Sequence, residues 1–288
     1  MKKVLFLLSG IINLTTLLAQ TNSVNPVFAN KIILTAGQKI IVHSSLSTES
    51  SLSPGMDVTN SSNSENTLEV RSISEKNYTL SSSLTKMQVN MNMPGNSTSY
   101  DSEKKEDQET DLGKAFSEKL NKPVDVTLDI YTGKATTVQI KSGSKKEIEE
   151  GNPMQGVLQV LGDAGGDETL VEGAFELIPQ GKNAGDSWSD STSGKNLKVM
   201  KNYTLKSVAG NEAIIGYNML VDAVNSMEMQ GMQMEISSIT KSTGEIIVDT
   251  LTGMVRKKTT QSDVQGSMQV MGQSVPVNAK ATTTITYR

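Results

Sequence analysis

The sequence lacks cysteine altogether, and its 288 residues include one histidine and one tryptophan. Without cysteine the chain cannot form a disulfide, a thiolate nucleophile, a zinc–thiolate site or a lipid-anchoring thioether. The single histidine, His43, cannot build a multi-histidine metal site. Aromatic residues contribute only 4% of the chain. These absences exclude several classes of enzyme and metalloprotein.

Basic charge is also in short supply, because 27 Lys and Arg residues stand against 31 Asp and Glu residues. Nucleic-acid-binding proteins need a surplus of cations to contact the phosphate backbone. We therefore expect no nucleic-acid partner.

The first 19 residues have the three-part layout of a cleavable signal peptide. Two lysines precede an apolar run of about 16 residues, which is shorter than the ~20 residues that a spanning helix needs. We expect cleavage between Ala19 and Gln20, with the bond after Ala29 as the second candidate. The expected product is exported to the periplasm or the cell exterior, with no membrane span and no lipid anchor.

The dominant pattern in the rest of the chain alternates apolar and polar residues, as half-buried strands do. It is visible in residues 39–47, 67–73 and 78–93. Glycine-containing turns predict four hairpins. These turns are Pro94-Gly95, Tyr131-Thr132-Gly133, Gln230-Gly231 and Met271-Gly272.

Two segments have helical spacing instead. Residues 111–120 place four apolar side chains on one face, and Pro123 follows them. Residues 152–178 carry a first apolar stripe, a glycine-rich break at 162–166 and a second helix with Asp167 as its predicted N-cap. We expect these helices to pack by their apolar faces.

Residues 126–133 resemble residues 246–253, since each segment runs from an apolar strand through aspartate to a Thr-Gly turn. This similarity predicts two related β-rich halves. The expected fold class is α+β, mainly antiparallel β, with two twisted sheets, one from each half, and a few packing helices. The expected divisions are a signal peptide (1–19), an N-terminal half (20–144), a helical connector (145–180) and a C-terminal half (181–288).

The order of four short elements resembles that of an uncharacterised family of exported Bacteroidota proteins, the domain-of-unknown-function family DUF6263. These elements are Ala36-Gly37-Gln38-Lys39, residues 120–133, residues 175–188 with the Gly-Asp-Ser-Trp element, and residues 244–253. The resemblance implies the layout and the compartment but no known activity or ligand. Many exported relatives of this kind carry a lipobox cysteine, and this chain has none.

Methionine is the most distinctive residue, with 15 in the chain. A two-residue loop at Gln230-Gly231 would place Met229 opposite Met232 and Met227 opposite Met234. Clustered thioethers favour Cu(I), but methionine also fills irregular cores or lines adaptable apolar grooves. We favour core or groove, because period two accounts for the methionines. The candidate groove-lining residues are Met87, Met91, Met93, Met227, Met229, Met232 and Met234.

No catalytic, cofactor-binding or metal-binding residue is predicted. His43 lies in a predicted strand without a Gly-x-Ser-x-Gly elbow, so a surface or cross-strand position is favoured. Two Ser-x-x-Lys matches, at 83–86 and 238–241, lie in predicted strands and are taken as coincidence. Trp188 is expected to be a core anchor at the start of a strand.

Two functions fit these observations. The first is an exported non-enzymatic protein that binds an apolar, lipid-like ligand in a cleft between sheets and helices. The alternative is a structural or interaction protein of the cell envelope that has no small-molecule ligand. A hydrolase ranks third, because no activated nucleophile is visible.

Overall fold

A computed structural model describes residues 27–51, 57–137, 166–194, 196–229, 232–270 and 273–288. The predicted signal peptide (1–19) and the first part of the predicted connector helix (152–165) lie outside the described residues. Within the described ranges, no helix has the length and apolar character needed to cross a membrane.

The described chain consists of twelve strands and three short helices. The strands are β1 (Lys39–Ser51), β2 (Asp57–Ile73), β3 (Asn77–Met93), β4 (Asn96–Asp101), β5 (Val124–Asp129), β6 (Ala135–Thr137), β7 (Ser187–Ser193), β8 (Leu197–Ala209), β9 (Glu212–Met229), β10 (Met232–Asp249), β11 (Val255–Val270) and β12 (Gln273–Tyr287). The helices are α1 (Lys105–Gln108), α2 (Asp111–Ser117) and α3 (Asp167–Gly173).

All twelve strands belong to one antiparallel sheet, so the expected α+β fold with two sheets is wrong. The strand order is β6-β5-β3-β2-β1-β12-β11-β10-β9-β8-β7, and β4 pairs with the far part of β3. The pairing of β1 with β12, from Val42 opposite Tyr287 to Ser51 opposite Asn278, joins the strands of residues 39–137 to those of residues 187–287. That pairing links strands from the two ends of the described chain, and local periodicity does not reveal it.

Hydrogen bonds of two consecutive residues show that this sheet is rolled. The Ile32 amide donates to the Ile130 carbonyl at 2.8 Å, just after β5, and the Ile33 amide donates to the Thr252 carbonyl at 3.1 Å, just after β10. Strands β5 and β10 are six positions apart in the sheet. In a flat sheet they would be about 29 Å apart at ~4.8 Å per strand. Consecutive Cα atoms are about 3.8 Å apart, so the sheet must curl to bring both turns to this segment.

The curled sheet encloses a core at the end where these turns lie, which we call the plugged end. Residues 28–34 and the segment that begins in α3 fill it. Ile32, Val171 and Ala174 are fully buried there. They pack against the inner face of the sheet, meaning the face that contacts them. The largest fully buried strand residues of this core are Ile40, Val42, Leu68, Val70, Leu80, Val126, Leu128, Leu205, Ile215 and Tyr287.

The turns after β5 and β10 have matching hydrogen bonds. Asp129 Oδ1 accepts from the amides of Tyr131 (2.9 Å) and Thr132 (2.8 Å). Asp249 Oδ1 accepts in the same way from Leu251 (3.0 Å) and Thr252 (3.1 Å). These bonds stabilise the ionised carboxylates, and each turn ends at a glycine with positive φ. The predicted hairpin at residues 131–133 is therefore confirmed, while the internal repeat as a whole stays a prediction.

The helices are shorter than the sequence pattern predicts. Helix α2 ends at Ser117 rather than residue 120, and its N-cap is Thr110, whose hydroxyl accepts from the Gly113 amide at 3.1 Å. Helix α3 is capped by Gly166, not by Asp167. The Asp167 carboxylate instead accepts a 2.6 Å hydrogen bond from the Ser82 hydroxyl on β3.

A matched pair of substitutions tests whether residues 28–34 fill the core at the plugged end. Ile32 is fully buried, whereas Ile33 is 47% exposed. We expect Ile32→Ala to lower the free energy of unfolding by about 2–5 kcal/mol, because it leaves a cavity in the core. Ile33→Ala should lower it by no more than about 0.5 kcal/mol. Urea denaturation followed by circular dichroism measures the free energy of unfolding of both variants. Equal decreases in this free energy would contradict the placement of Ile32 in the core at the plugged end.

Candidate functional site

The inner face of the sheet continues well beyond the plugged end, and its chemistry changes there. We call the inner-face positions of β2, β1, β12, β11 and β10 that follow the plugged core the trough. The paired strands align them in rows, such as Leu46 with Ser62 and Thr283. The trough consists of Leu46, Thr48, Ser50, Val58, Asn60, Ser62, Val275, Val277, Ala279, Ala281, Thr283, Thr260, Ser262, Val264, Gly266, Met268, Ile236, Ser238, Thr240, Ser242 and Gly244.

No residue of the trough is charged, and most are small. Strand β12 shows the pattern most clearly, because Val277, Ala279 and Ala281 are half-buried while the residues between them, Asn278 and Lys280, are exposed. The alternation continues far from the plugged core. The trough is therefore an uncharged face shielded by the roll of the sheet.

An aromatic row crosses the inner face of β7, β8 and β9 beside the trough. Trp188 stacks on Tyr203 with ring centroids 5.3 Å apart. Tyr203 lies 6.4 Å from Tyr217 in a tilted arrangement. Burial raises the pKa of the Tyr203 hydroxyl above its usual range, and the nearby carboxyls of Glu176 and Asp190 raise it further. This aromatic row forms one wall at the plugged end of the trough, because the Tyr217 hydroxyl contacts the hydroxyl of Thr260.

Tyr217 reaches across the neighbouring strand because that strand has a glycine beneath it. Gly244 on β10 pairs with both Tyr217 on β9 and Thr260 on β11. The Tyr217 hydroxyl hydrogen-bonds to the Thr260 hydroxyl. A Cβ at Gly244 would lie 2.0 Å from the Thr259 carbonyl oxygen and 2.7 Å from the Tyr217 ring, so a larger residue would displace both the strand backbone and the ring.

A small group of ionisable residues lies where the aromatic row meets the core. The Lys258 ammonium on β11 is 5.3 Å from the centroid of the Tyr217 ring, a cation–π distance. Burial lowers the pKa of Lys258, and the positive charge of Lys201 on β8 lowers it further. Burial raises the pKa of the Glu176 carboxyl to about 7, although Lys258 and Lys201 oppose this shift. A carboxyl that titrates near neutrality marks a candidate functional site.

The methionines predicted to line a groove are distributed over separate strands. Met91 is buried, and Met87 packs beside Val89 against Leu112 and Phe116 of α2. Met93 is half-buried. Met229 is opposite Met232 and Met227 opposite Met234, as the turn predicted, but their side chains lie outside the described residues. Four strands separate β3 from β10, so strand pairing does not bring the two groups together.

Two other residues named from the sequence have clear positions. His43 lies on the outer face, where its Nδ1 is 3.5 Å from the carboxylate of Glu65 on the adjacent strand. Trp188 is the second residue of β7 and packs against the core through Tyr203. Within the described ranges, no three His, Asp or Glu side chains are grouped as they would be around a metal ion.

Sequence reasoning missed Glu176, Lys258 and Lys201. Residues 257 and 258 are both lysines, and a register shift after Ile247 changes which of the two faces inward. Period-two alternation cannot place such a residue without knowledge of the bulge. Glu176 lies beyond the end of α3 at Gly173, in a segment where the helical spacing expected up to residue 178 does not hold. The available signal was the lysine pair within an otherwise alternating strand.

The pH dependence of stability tests the environment of Glu176. Its folded-state pKa is raised from 4.5 to about 7, so the folded chain holds a proton that the unfolded chain releases. Stability should therefore decrease as pH rises from about 4.5 to about 7, by roughly 1–3 kcal/mol from this group. Urea denaturation across this range should show the decrease in the wild type and not in Glu176→Gln. Parallel profiles would contradict the buried position of the carboxyl.

Comparisons with known proteins identify a family and distant structural likenesses. A family model described as "Family of unknown function (DUF6263)" matches residues 75–255, more than half of the chain. No curated protein matches.

A structure titled "Lipid-protein interactions in lipovitellin" is 12% identical over 89% of this chain, with a TM-score of 0.49. This chain spans 25% of that lipovitellin chain. The COG4313 outer membrane channel from Pseudomonas putida F1 is 8% identical over 89% of this chain and 97% of the channel, with a TM-score of 0.26. Likenesses this distant do not identify a ligand.

Proposed function

The chain belongs to the DUF6263 family of unknown function, and we propose that it is an exported, non-enzymatic protein whose trough holds the apolar part of a lipid-like ligand. The observation that carries this proposal is the uncharged inner face beyond the plugged core. Charged side chains of the same strands, such as Glu49, Lys241, Asp263 and Lys280, alternate onto the outer face.

The size of the side chains supports a ligand-holding interior over a packed one. The plugged end is filled by large residues such as Leu68, Leu205 and Tyr287. In the trough, rows such as Thr48, Ala281 and Ser262 are built from small residues. Protein interiors are normally packed to high density, so small inward residues leave room for another molecule. Concave surfaces that combine apolar side chains with polar groups are typical of ligand sites.

Asn60 supports a ligand with a polar group. It lies in the trough on β2, only 7% exposed, and neither the oxygen nor the nitrogen of its carboxamide has a hydrogen-bond partner in the described structure. Buried side-chain amides are nearly always paired, because an unpaired one costs about 1–3 kcal/mol. A bound molecule that offers a hydrogen-bonding group would satisfy it.

The position of the one histidine supports the non-enzymatic part of the proposal. His43 faces outward and contacts Glu65, so it cannot act as a general base towards the trough. The hydroxyls of Ser242 and Ser262 in the trough hydrogen-bond to each other at 2.8 Å rather than to a base.

Two adjacent residues of β12 provide the matched test. Ala281 is half-buried in the trough, and Thr282 is exposed on the outer face. We expect native mass spectrometry of the wild type, after incubation with an envelope lipid extract, to show an added mass that is lost on denaturation. Ala281→Glu should abolish the added mass, because the ligand chain would have to desolvate a carboxylate. Thr282→Glu should retain it.

A bare polypeptide mass for the wild type would contradict a ligand-binding role and would favour a structural role in the envelope. Equal retention of the added mass by both variants would place the ligand elsewhere than in the trough. Circular dichroism spectra of the two variants, compared with that of the wild type, provide the control for folding.

A further inference from the structure

Lys258 differs from Lys206 and Lys86 of the outer face in having no carboxylate at ion-pair distance. On the outer face, Lys206 lies 2.7 Å from Glu245 and Lys86 lies 3.1 Å from Glu103. Among the described residues, no carboxylate oxygen lies within 4.0 Å of the Lys258 ammonium. Lys258 is half-buried, and cations that are shielded from water are normally paired with an anion. Its observed contact is the face of the Tyr217 ring.

A second inward lysine makes the local charge more positive. Lys201 occupies an inner-face position on β8, beside Met219 of β9, and its charge acts on both Lys258 and Glu176. Two cations near each other on a shielded surface repel, and an anion between them removes that cost. Asp190, the cross-strand neighbour of Lys201, is exposed.

Glu176 cancels only part of this charge in neutral solution, and less of it in mildly acidic solution. Burial raises its pKa to about 7, so a large fraction of the carboxyl is protonated there. With Glu176 neutral, the cations Lys258, Lys201 and Lys134 outnumber the single anion Asp190 among the charged groups that act on this carboxyl. The electrostatics at the plugged end of the trough therefore favour an anionic group from outside the chain.

We infer that the plugged end of the trough is the headgroup subsite for an anionic amphipath, with the Lys258 ammonium as the contacting cation and Lys201 as the second cation. The inference rests on the proposed function and deepens it by naming the ligand class, a single long apolar chain that ends in a carboxylate or phosphate group. The headgroup lies beside Lys258, and the chain extends along β11 from Thr260 towards Met268.

The length and polarity of that path fit such a ligand. The inner-face residues of β11 after Lys258 are Thr260, Ser262, Val264, Gly266 and Met268, and none is charged. From Thr260 to Met268 the strand extends about 27 Å at ~3.4 Å per residue. Positive charge at one end of a long uncharged surface is complementary to a molecule with one anionic end.

The single tryptophan supplies the assay. Trp188 lies in the aromatic row at the headgroup end, so binding of a headgroup beside Lys258 and Tyr217 should change its fluorescence. The probes are dibromostearate, dibromostearyl phosphate and the neutral dibromostearyl alcohol, which share the same chain. We expect the wild type to bind both anionic probes at least about tenfold more tightly than the alcohol, as a charge-assisted contact provides.

Adjacent lysines give a matched pair of variants. Lys258→Met should reduce the affinity for the anionic probes to that for the alcohol, and Lys258→Arg should keep the preference. Lys257→Met, which removes an exposed outer-face charge, should behave as the wild type. Binding of all three probes with equal affinity would overturn the headgroup subsite and leave the proposed function standing. Failure of every probe to bind would overturn the proposed function itself.

The pH dependence of binding separates a headgroup contact from a general loss of structure. The charged groups that act on Glu176 are Lys258, Lys201, Asp190 and Lys134. Deprotonation of Glu176 places a negative charge beside the headgroup, so dibromostearate should bind more weakly at about pH 8 than at about pH 6. Glu176→Gln should remove this difference. An affinity of the wild type that is constant over this range would contradict a headgroup beside Glu176.

Discussion

The curl of the sheet depends on two adjacent hydrogen bonds. The consecutive amides of Ile32 and Ile33 donate to carbonyls in the turns after β5 and β10, two strands that are far apart in the sheet. Aspartates 129 and 249 hold these turns in the same geometry, so both carbonyls are presented to the same segment. Once these turns meet, the inner face of the sheet must be concave at this end. The closed core, the shielded trough and the ionisable group between them all follow from that constraint.

The sequence predicted the local features well, because each depends on nearby residues. The turn predicted at Pro94-Gly95 is present, with Met93 opposite Asn96. The pair Met229–Met232, predicted from the turn at Gln230-Gly231, is also present. The helix at residues 111–117 was likewise predicted from its spacing. These features require only the geometry of a turn or a periodicity of a few residues.

The global arrangement could not be read in the same way. Pairing of β1 with β12 closes a loop over most of the chain and merges two expected sheets into one. An extra residue at Thr85 shifts the inner-face positions of β3 from even to odd numbers. A second shift after Ile247 decides that Lys258, rather than Lys257, faces inward. Period-two patterns carry no information about either long-range pairing or the position of a bulge.

The central claim is that the uncharged trough holds the chain of a ligand, and a crystal structure grown with dibromostearate tests it most directly. Anomalous scattering locates the bromine atoms without ambiguity about the identity of the density. The account predicts bromine peaks on the inner face, between Ala281 of β12 and Ser262 of β11. An interior closed by protein side chains, with bromine bound only at the outer face or at a sheet edge, would contradict it.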